Sequence, residues 1–293
     1  SIKKMKKILI LGGTGFIGKS LKELFSEDQK QYQIFSPTRK ELNITKYEEC
    51  YSYLKRIKPD IIIHASVDIN SVENSVGMLN NILANKKFFG KLIFLGSGGE
   101  YNPRLYQPLM KEDFTKNSYP ENGYYLSKFI CGREIEFSEI ENIFNLRIFG
   151  IYGPYELYQK RFISNNICRV LSGLPISLNK DMNFDYLYID DLFKIIKIFI
   201  NNNNLNYKTY NVCSGKPIKL SYLANQIKEI MNVKKEVIIK NKGLNPEYSG
   251  DPGRLLKEIG HYNFIKHSDS IKAMVNFFYK KFSINNDYFI KED

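Results

Sequence analysis

Apolar residues in the first half of the chain fall into two alternating arrangements. Short continuous runs give way to stretches in which apolar positions recur with helical spacing. Lys7–Leu11, Tyr32–Ser36, Asp60–His64, Lys91–Leu95 and Ile143–Ile148 read as strands. Phe16–Phe25, Lys46–Ile57, Asn70–Lys86 and Tyr124–Ile140 read as the helices between and after them. Strand and helix in strict alternation make βαβ units, so the fold class expected is α/β, a doubly wound parallel sheet.

After Gly153-Pro154 the pattern loosens. Helices are expected at Phe162–Leu171, Asp190–Ile200, Leu220–Met231 and Asp269–Phe282, with mixed short strands among them. Asn201–Asn204 reads as a surface turn, and no internal repeat is visible. Residues 1–155, joined by about 185–213, are expected to build the sheet domain. Residues at about 156–184 and 214–293 are expected to form a smaller C-terminal α/β lobe that caps it.

Composition narrows the class without naming a chemistry. A chain of 293 residues with 43% hydrophobic and 25% charged residues is ordinary for a globular protein with a sizeable core. No apolar run approaches the roughly 20 residues of a membrane span. The most apolar helical stretch, Leu192–Ile200, carries Lys194 and Lys197. Lys3, Lys4, Lys6 and Lys7 precede a strand-length run that ends in glycines, which is no signal-peptide core, so a cytoplasmic protein is expected. Cys50, Cys131, Cys168 and Cys213 form no CxxC pair, and His64, His261 and His267 are the only histidines. Reduced structural thiols and no metal site are therefore expected. The formal charge of +12 comes from lysines spread over many segments. That suits a polyanionic small ligand better than a nucleic acid or a membrane surface.

The segment Ile8–Gly18, ILILGGTGFIG, places Gly12, Gly15 and Gly18 between a strand and a helix. Gly12 permits the tight turn, Gly15 lets the backbone approach a pyrophosphate, and Gly18 lets the helix pack close to the sheet. Thr14, Phe16 and Ile17 complete this dinucleotide-binding loop of a Rossmann sheet. The end of the second strand reads Ser36-Pro37-Thr38-Arg39-Lys40, without the carboxylate that would hold the ribose hydroxyls of NAD. Arg39 suits a 2′-phosphate by bidentate contact, so NADP(H) is the cofactor expected.

Tyr124 and Lys128 stand four residues apart on one helix face. A tyrosine with a pKa of about 10 is a poor acid near neutrality. A nearby lysine cation is expected to lower that value and to hold the nicotinamide ribose. Tyr125 is one residue off and is expected to face elsewhere. Ser97, at the carboxyl end of the Lys91–Leu95 strand, sits where ligands bind to such sheets and completes a Ser/Tyr/Lys site for carbonyl reduction.

With these parts the chain resembles the extended short-chain dehydrogenase/reductase family, and within it the GDP-fucose synthases. The matching stretches include TRKELNIT at 38–45, PDIIIHAS at 59–66, KLIFLGSGGEY at 91–101, YYLSK at 124–128, IFGIYGP at 148–154 and FDYLYIDDL at 184–192. YNVCSGKPIKL at 210–220 and GDPGRLLKEIG at 250–260 follow in the same order. The resemblance implies an oxidoreductase acting on a nucleotide sugar, a homodimer paired through the YxxxK helix, and a product used in polysaccharide biosynthesis. By likeness, Asn43, Ala65, Ser66 and Val67 line the adenosine and ribose pocket.

The departures from that family are informative. Its cysteine two residues after the serine is Gly99 here, and its histidine after the YGP segment falls near Phe162. With neither base nor acid for C3 and C5, the chain reads as a C4-keto reductase without the epimerase half. Gly98 and Gly99 also replace the Asp-Glu pair of dehydratases. Phe184 stands where an arginine commonly meets the substrate diphosphate, leaving Arg161, Lys180 and Arg254 as candidates. Gly99 is expected beside the substrate. Asp190 and Asp191 are expected to cap their helix, His64 to be buried and structural, and Tyr152–Tyr158 to offer rings for stacking. Two alternatives stay open. One is a bifunctional 3,5-epimerase/4-reductase using other residues; the other is an NADPH-binding protein without turnover.

Overall fold

Ile8 and Ile10 face one side of the first strand and Leu9 and Leu11 the other, and all four are buried. A strand that buries both faces belongs in the middle of a sheet covered by helices on both sides. That is its place in the computed structural model, which describes residues 5–28, 30–115, 118–285 and 288–291. Lys3 and Lys4 lie outside the described residues.

The strands are β1 (Lys6–Leu11), β2 (Tyr32–Phe35), β3 (Ile61–His64), β4 (Lys91–Ser97) and β5 (Ile143–Ile148). Between them run α1 (Phe16–Ser26), α2 (Tyr47–Ile57), α3 (Val72–Leu83) and α4 (Gly123–Phe137). Downstream come β6 (Gly150–Tyr152), α5 (Phe162–Leu171), β7 (Ser177–Asp181), β8 (Asn183–Phe184), β9 (Tyr186–Tyr188) and α6 (Ile189–Asn201). The chain closes with β10 (Thr209–Val212), β11 (Ile218–Lys219), α7 (Leu220–Ile230), β12 (Ile238–Leu244), α8 (Gly253–Ile259) and α9 (His267–Asn285).

Six strands make the central sheet in the order β10-β5-β4-β3-β1-β2, and every pairing within it is parallel. On one face Leu21 and Phe25 of α1 and Leu192, Ile195, Ile196 and Phe199 of α6 close over Ile8, Ile10, Ile61, Ile63, Ile93 and Leu95. On the other, Leu54 of α2, Met78, Leu79 and Ile82 of α3, and Cys131 and Ile135 of α4 close over Leu9, Leu11, Ile62, Leu92 and Phe94. Each such side chain, fully buried, is worth about 1.5–3 kcal/mol of transfer free energy. The expected doubly wound sheet is therefore present.

The sixth strand, β10, has no counterpart in the strands expected from the sequence. It holds only four residues after a polar run, and Tyr210 and Asn211 are both buried. Its partner β5 supplies the ladder that a short mixed segment cannot specify alone. Beyond the sheet, β7 pairs with β12 and β8 with β11, while α5, α7 and α9 pack on one another. Side chains of α7, α8 and α9 join the same apolar core as the sheet.

Asp191 does not cap α6 as expected. It accepts hydrogen bonds from the Tyr262 hydroxyl (2.6 Å) and the Ile265 N–H (3.0 Å), tying the C-terminal segment to the first turn of α6. The four cysteines are free and buried. Among the described residues, no helix is long and apolar enough to cross a membrane.

Candidate active site

Two clefts meet along the carboxyl ends of the strands, sharing Gly15, Ala65 and Val67 on their walls. The first, of about 370 Å³, is lined by Gly12, Thr14, Gly15, Arg39, Asn43, Ala65, Ser66 and Val67, with Asp68 and Ile69 beside them. Gly12 has φ +87°, and a Cβ there would lie 2.7 Å from the Ala65 carbonyl carbon. A Cβ at Gly18 would lie 2.1 Å from the Gly12 carbonyl oxygen. Only glycine permits this turn and this approach of α1 to the loop. Thr14 and Gly15 stay exposed at the N-terminus of α1, whose first turn carries no acidic residue, leaving its N–H groups open to an anion.

The loop after β2 is held locally. Glu41 accepts from the Thr38 N–H (2.7 Å) and hydroxyl (2.9 Å) and does not line the cleft, whereas Asp68 lines it and feels the charge of Arg39. Arg39 is exposed on the cleft wall, and Lys40 is not part of that wall.

The second cavity, of about 530 Å³, brings together Ser97, Tyr124 and Lys128 with Phe16, Ile17, Gly18 and Arg161. Ser97 ends β4 and is pinned twice: its N–H donates to Glu100 Oε1 (3.2 Å), and its Oγ accepts from the Gly99 N–H (2.9 Å). Glu100 is fully buried and is itself held by Arg147 Nε (2.6 Å) and Asn145 Nδ2 (3.1 Å) from β5. Asn122 caps α4 by accepting from the Tyr124 N–H (3.0 Å), which fixes the turn that carries Tyr124.

Burial pushes the Tyr124 phenol above its ordinary pKa, and neighbouring Tyr125 adds to the rise. The cation that opposes it is Arg161. Lys128 lies near the same ring. Its Nζ is buried, donates to the Leu95 carbonyl (2.7 Å), and lies 4.9 Å from the centroid of the Phe94 ring and 5.9 Å from that of Tyr124. Burial brings Lys128 itself down to about 8.

Several expectations need correction. Tyr125 does not face elsewhere: its ring covers Gly99, where a Cβ would fall 2.0 Å from the Tyr125 Cδ1. Gly99 is accordingly shielded and does not line the cavity. Lys180 and Arg254 line neither cleft. Lys180 extends along Gly243 of β12, and Arg254 lies 3.6 Å from Glu112 and over the Tyr207 ring. Arg161 alone of the three candidates reaches the cavity. Tyr152 is a core residue bonded to Ser270, and Tyr155 bonds Glu23, so neither ring faces the cavity.

Other cavity residues carry no role assigned from the sequence. Glu156 is buried on the wall, accepts from the Ser164 N–H (3.1 Å), and is raised by desolvation to about 7. Tyr106, Phe149, Phe184, Tyr186 and Tyr248 supply an aromatic wall, with Phe184 and Tyr186 ring centroids 4.4 Å apart.

His64, at the end of β3, is buried as expected, and neither ring nitrogen has a hydrogen-bond partner among the described residues. Burial, with Lys128 nearby, lowers its pKa to about 3. The folded value lies below the unfolded one of about 6.5, so the unfolded chain takes up the proton first as the pH falls. Stability attributable to His64 is full above about pH 6.5 and is lost progressively down to about 3, by about 4–5 kcal/mol. Replacing His64 by leucine should flatten urea-derived stability across that acid window. An unchanged slope would show that the protonated ring is accommodated.

The model of the NAD dependent epimerase/dehydratase family matches residues 8–213. GDP-L-colitose synthase of Yersinia pseudotuberculosis is 24% identical, over 96% of this chain and 100% of the relative. GDP-6-deoxy-D-talose 4-dehydrogenase of Aggregatibacter actinomycetemcomitans is 26% identical, over 94% and 97%. Among solved structures, a GDP-L-fucose synthetase from Naegleria fowleri bound to NADP superposes with a TM-score of 0.80 at 17% identity, covering 96% of each chain.

Proposed function

From its membership of the NAD dependent epimerase/dehydratase family, we propose that this chain is an NADPH-dependent reductase of nucleotide-activated sugars. It reduces the C4 keto group of a 4-keto sugar, with GDP the favoured nucleotide, and does not epimerise C3 or C5. The observation that carries the reading is the convergence of Ser97, Tyr124 and Lys128 in one cavity continuous with the glycine loop. The two relatives described above are named for GDP-linked sugars, and one is a 4-dehydrogenase, which supports the substrate class.

The residues present fit NADP(H). The Gly12–Gly18 turn offers an unobstructed helix N-terminus to a pyrophosphate, and Arg39, exposed on the cleft wall within reach of the Asp68 charge, is the cation there to meet a 2′-phosphate. NADPH, when bound, supplies the hydride for the carbonyl carbon. Tyr124 gives its phenolic proton to the carbonyl oxygen, so the ketone becomes a secondary alcohol. Its raised pKa keeps that proton in place across the physiological range until negative charge develops on the oxygen. Ser97 donates a hydrogen bond to that oxygen, and Lys128 holds the ribose. The sheet part, 1–155 with 185–213, then carries the cofactor, and 156–184 with 214–293 caps the sugar.

The absence of epimerisation is supported by position 99, which has no side chain and is covered by Tyr125. One observation favours the bifunctional alternative. Glu156, buried on the cavity wall with a pKa of about 7, is suited to move a proton at a carbon beside the ketone.

NADPH oxidation with a panel of GDP- and dTDP-linked 4-keto sugars, run in D₂O with NMR of the product, separates the readings. The expected result is oxidation with a GDP sugar and no deuterium at C3 or C5. Deuterium there would favour the bifunctional enzyme with Glu156 as its base. No oxidation with any sugar would point to an NADPH-binding protein without turnover.

A further inference from the structure

Carbonyl reduction limits where the sugar can lie. Its keto oxygen has to come within about 2.6–3.2 Å of both the Tyr124 phenol and the Ser97 hydroxyl. The two carbons beside the ketone are one bond further on, so their substituents meet whatever stands next to both groups. Tyr125 stands there. It follows Tyr124 on α4, the two rings lying edge to face with centroids 5.1 Å apart. Its ring also rests on Gly99, two residues after Ser97, and it lines the cavity beside Ser97 and Tyr124.

This ring has no room to retreat. A Cβ on Gly99 would fall 2.0 Å from Tyr125 Cδ1 and 2.1 Å from Cε1, well inside the contact distance of about 3.5–4.0 Å between carbons. The missing side chain at 99 and the large one at 125 are therefore a matched pair, each shaped to the other. The base of the ring is fixed as well. Asn122 Oδ1 accepts from the Tyr124 N–H (3.0 Å) and the Tyr125 N–H (3.3 Å), which holds the first turn of α4 in place. A ring backed by main chain on one side yields little to a ligand pressing on the other.

We propose that Tyr125 is a specificity-determining residue of the reductase, its ring, backed by Gly99, limiting the size of the substituent on a carbon beside the ketone. The site then takes 4-keto sugars whose substituent there is no larger than a methyl or hydroxyl group and excludes those carrying a longer chain. The ring transfers no proton and holds no charge; it acts by occupying space.

This inference rests on the proposed reductase reading, and its test separates the two. The value of kcat/KM is compared between nucleotide-linked 4-keto sugars that differ in one substituent. One pair sets a methyl group against a two-carbon chain at C5, and the other a hydroxyl against a methoxy group at C3. Wild type should favour the smaller member of at least one pair by about tenfold or more, the range for a misfitting methylene. Tyr125→Ala should erase most of that preference while KM for NADPH stays near wild type. Tyr125→Phe should keep it, because the ring and not its hydroxyl sets the limit. Gly99→Ala should slow even the smaller sugar by driving the ring into the cavity, and adding Tyr125→Ala should recover that loss. A wild type that is active without preference in either pair would overturn the inference and leave the reductase reading standing, as would an unchanged preference in Tyr125→Ala. Loss of the preference in Tyr125→Phe would overturn it in favour of a polar contact, and additive losses at 99 and 125 would overturn the matched pair. An inactive wild type would overturn the reductase reading and this inference with it.

Discussion

Replacing Tyr124 by phenylalanine is expected to lower kcat by about a hundredfold to ten-thousandfold, the range for loss of a positioned acid. The substitution removes one oxygen from a ring that sits half-buried at the first turn of α4. The turn itself is set by the Asn122 cap, which bonds backbone N–H groups and is untouched by the change. NADPH affinity, measured by fluorescence titration, should therefore fall only slightly, since the glycine loop and Arg39 lie in the neighbouring cleft. Equal turnover in the two proteins would remove Tyr124 from the mechanism. The burial that raises the Tyr124 pKa favours the protonated acid before the reaction. The tyrosinate left afterwards faces Arg161, the cation that opposes that rise. An Arg161 substitution is thus expected to act on turnover as well as on substrate affinity.

The largest stability effect is expected at Arg147. Its guanidinium is 2% exposed, and its Nε lies 2.6 Å from the fully buried Glu100 carboxylate. It also donates to the Glu112 carbonyl (2.8 Å) and the Tyr101 hydroxyl (3.3 Å). Removing one partner of a buried pair leaves the other charge without compensation, which costs about 3–5 kcal/mol. Arg147→Met should show that loss in urea denaturation. Adding Glu100→Gln should recover part of it, because the uncompensated charge is then gone. Additive losses from the two changes would mean that the pair is not coupled. The same network holds the Ser97 N–H through Glu100 Oε1, so kcat should fall in the single variant even at temperatures where it stays folded.

Much of this arrangement is legible along the chain because its causes are local. Continuous apolar runs in β1, β3 and β4 specify strands buried on both faces, and the glycine spacing specifies the turn into α1. The four-residue spacing of Tyr124 and Lys128 places them on one helix face wherever that helix packs. What misleads is inference beyond the local segment. Tyr125 is one position from Tyr124, about 100° round the helix, which in isolation points it away. The first turn of α4 stands at the cavity mouth, so both rings enter it. Lys180, Arg161 and Arg254 are equivalent as cations in the sequence, yet only Arg161 begins a helix, α5, that abuts the cavity.

The sequence by itself determined the fold class, the glycine turn into α1 and the placing of Tyr124 and Lys128 on one helix face, since each rests on a periodicity or spacing within one segment and its flanks. Tertiary structure alone decided the sixth strand, the assembly of the aromatic wall and the burial of Glu156 beside it. Those depend on which distant segments pack together, and no short-range pattern encodes that. It decided too that burial raises the Tyr124 phenol and that the Lys128 ammonium is held at the Leu95 carbonyl. A pKa is set by the surroundings of a group in three dimensions, and the sequence names only the group.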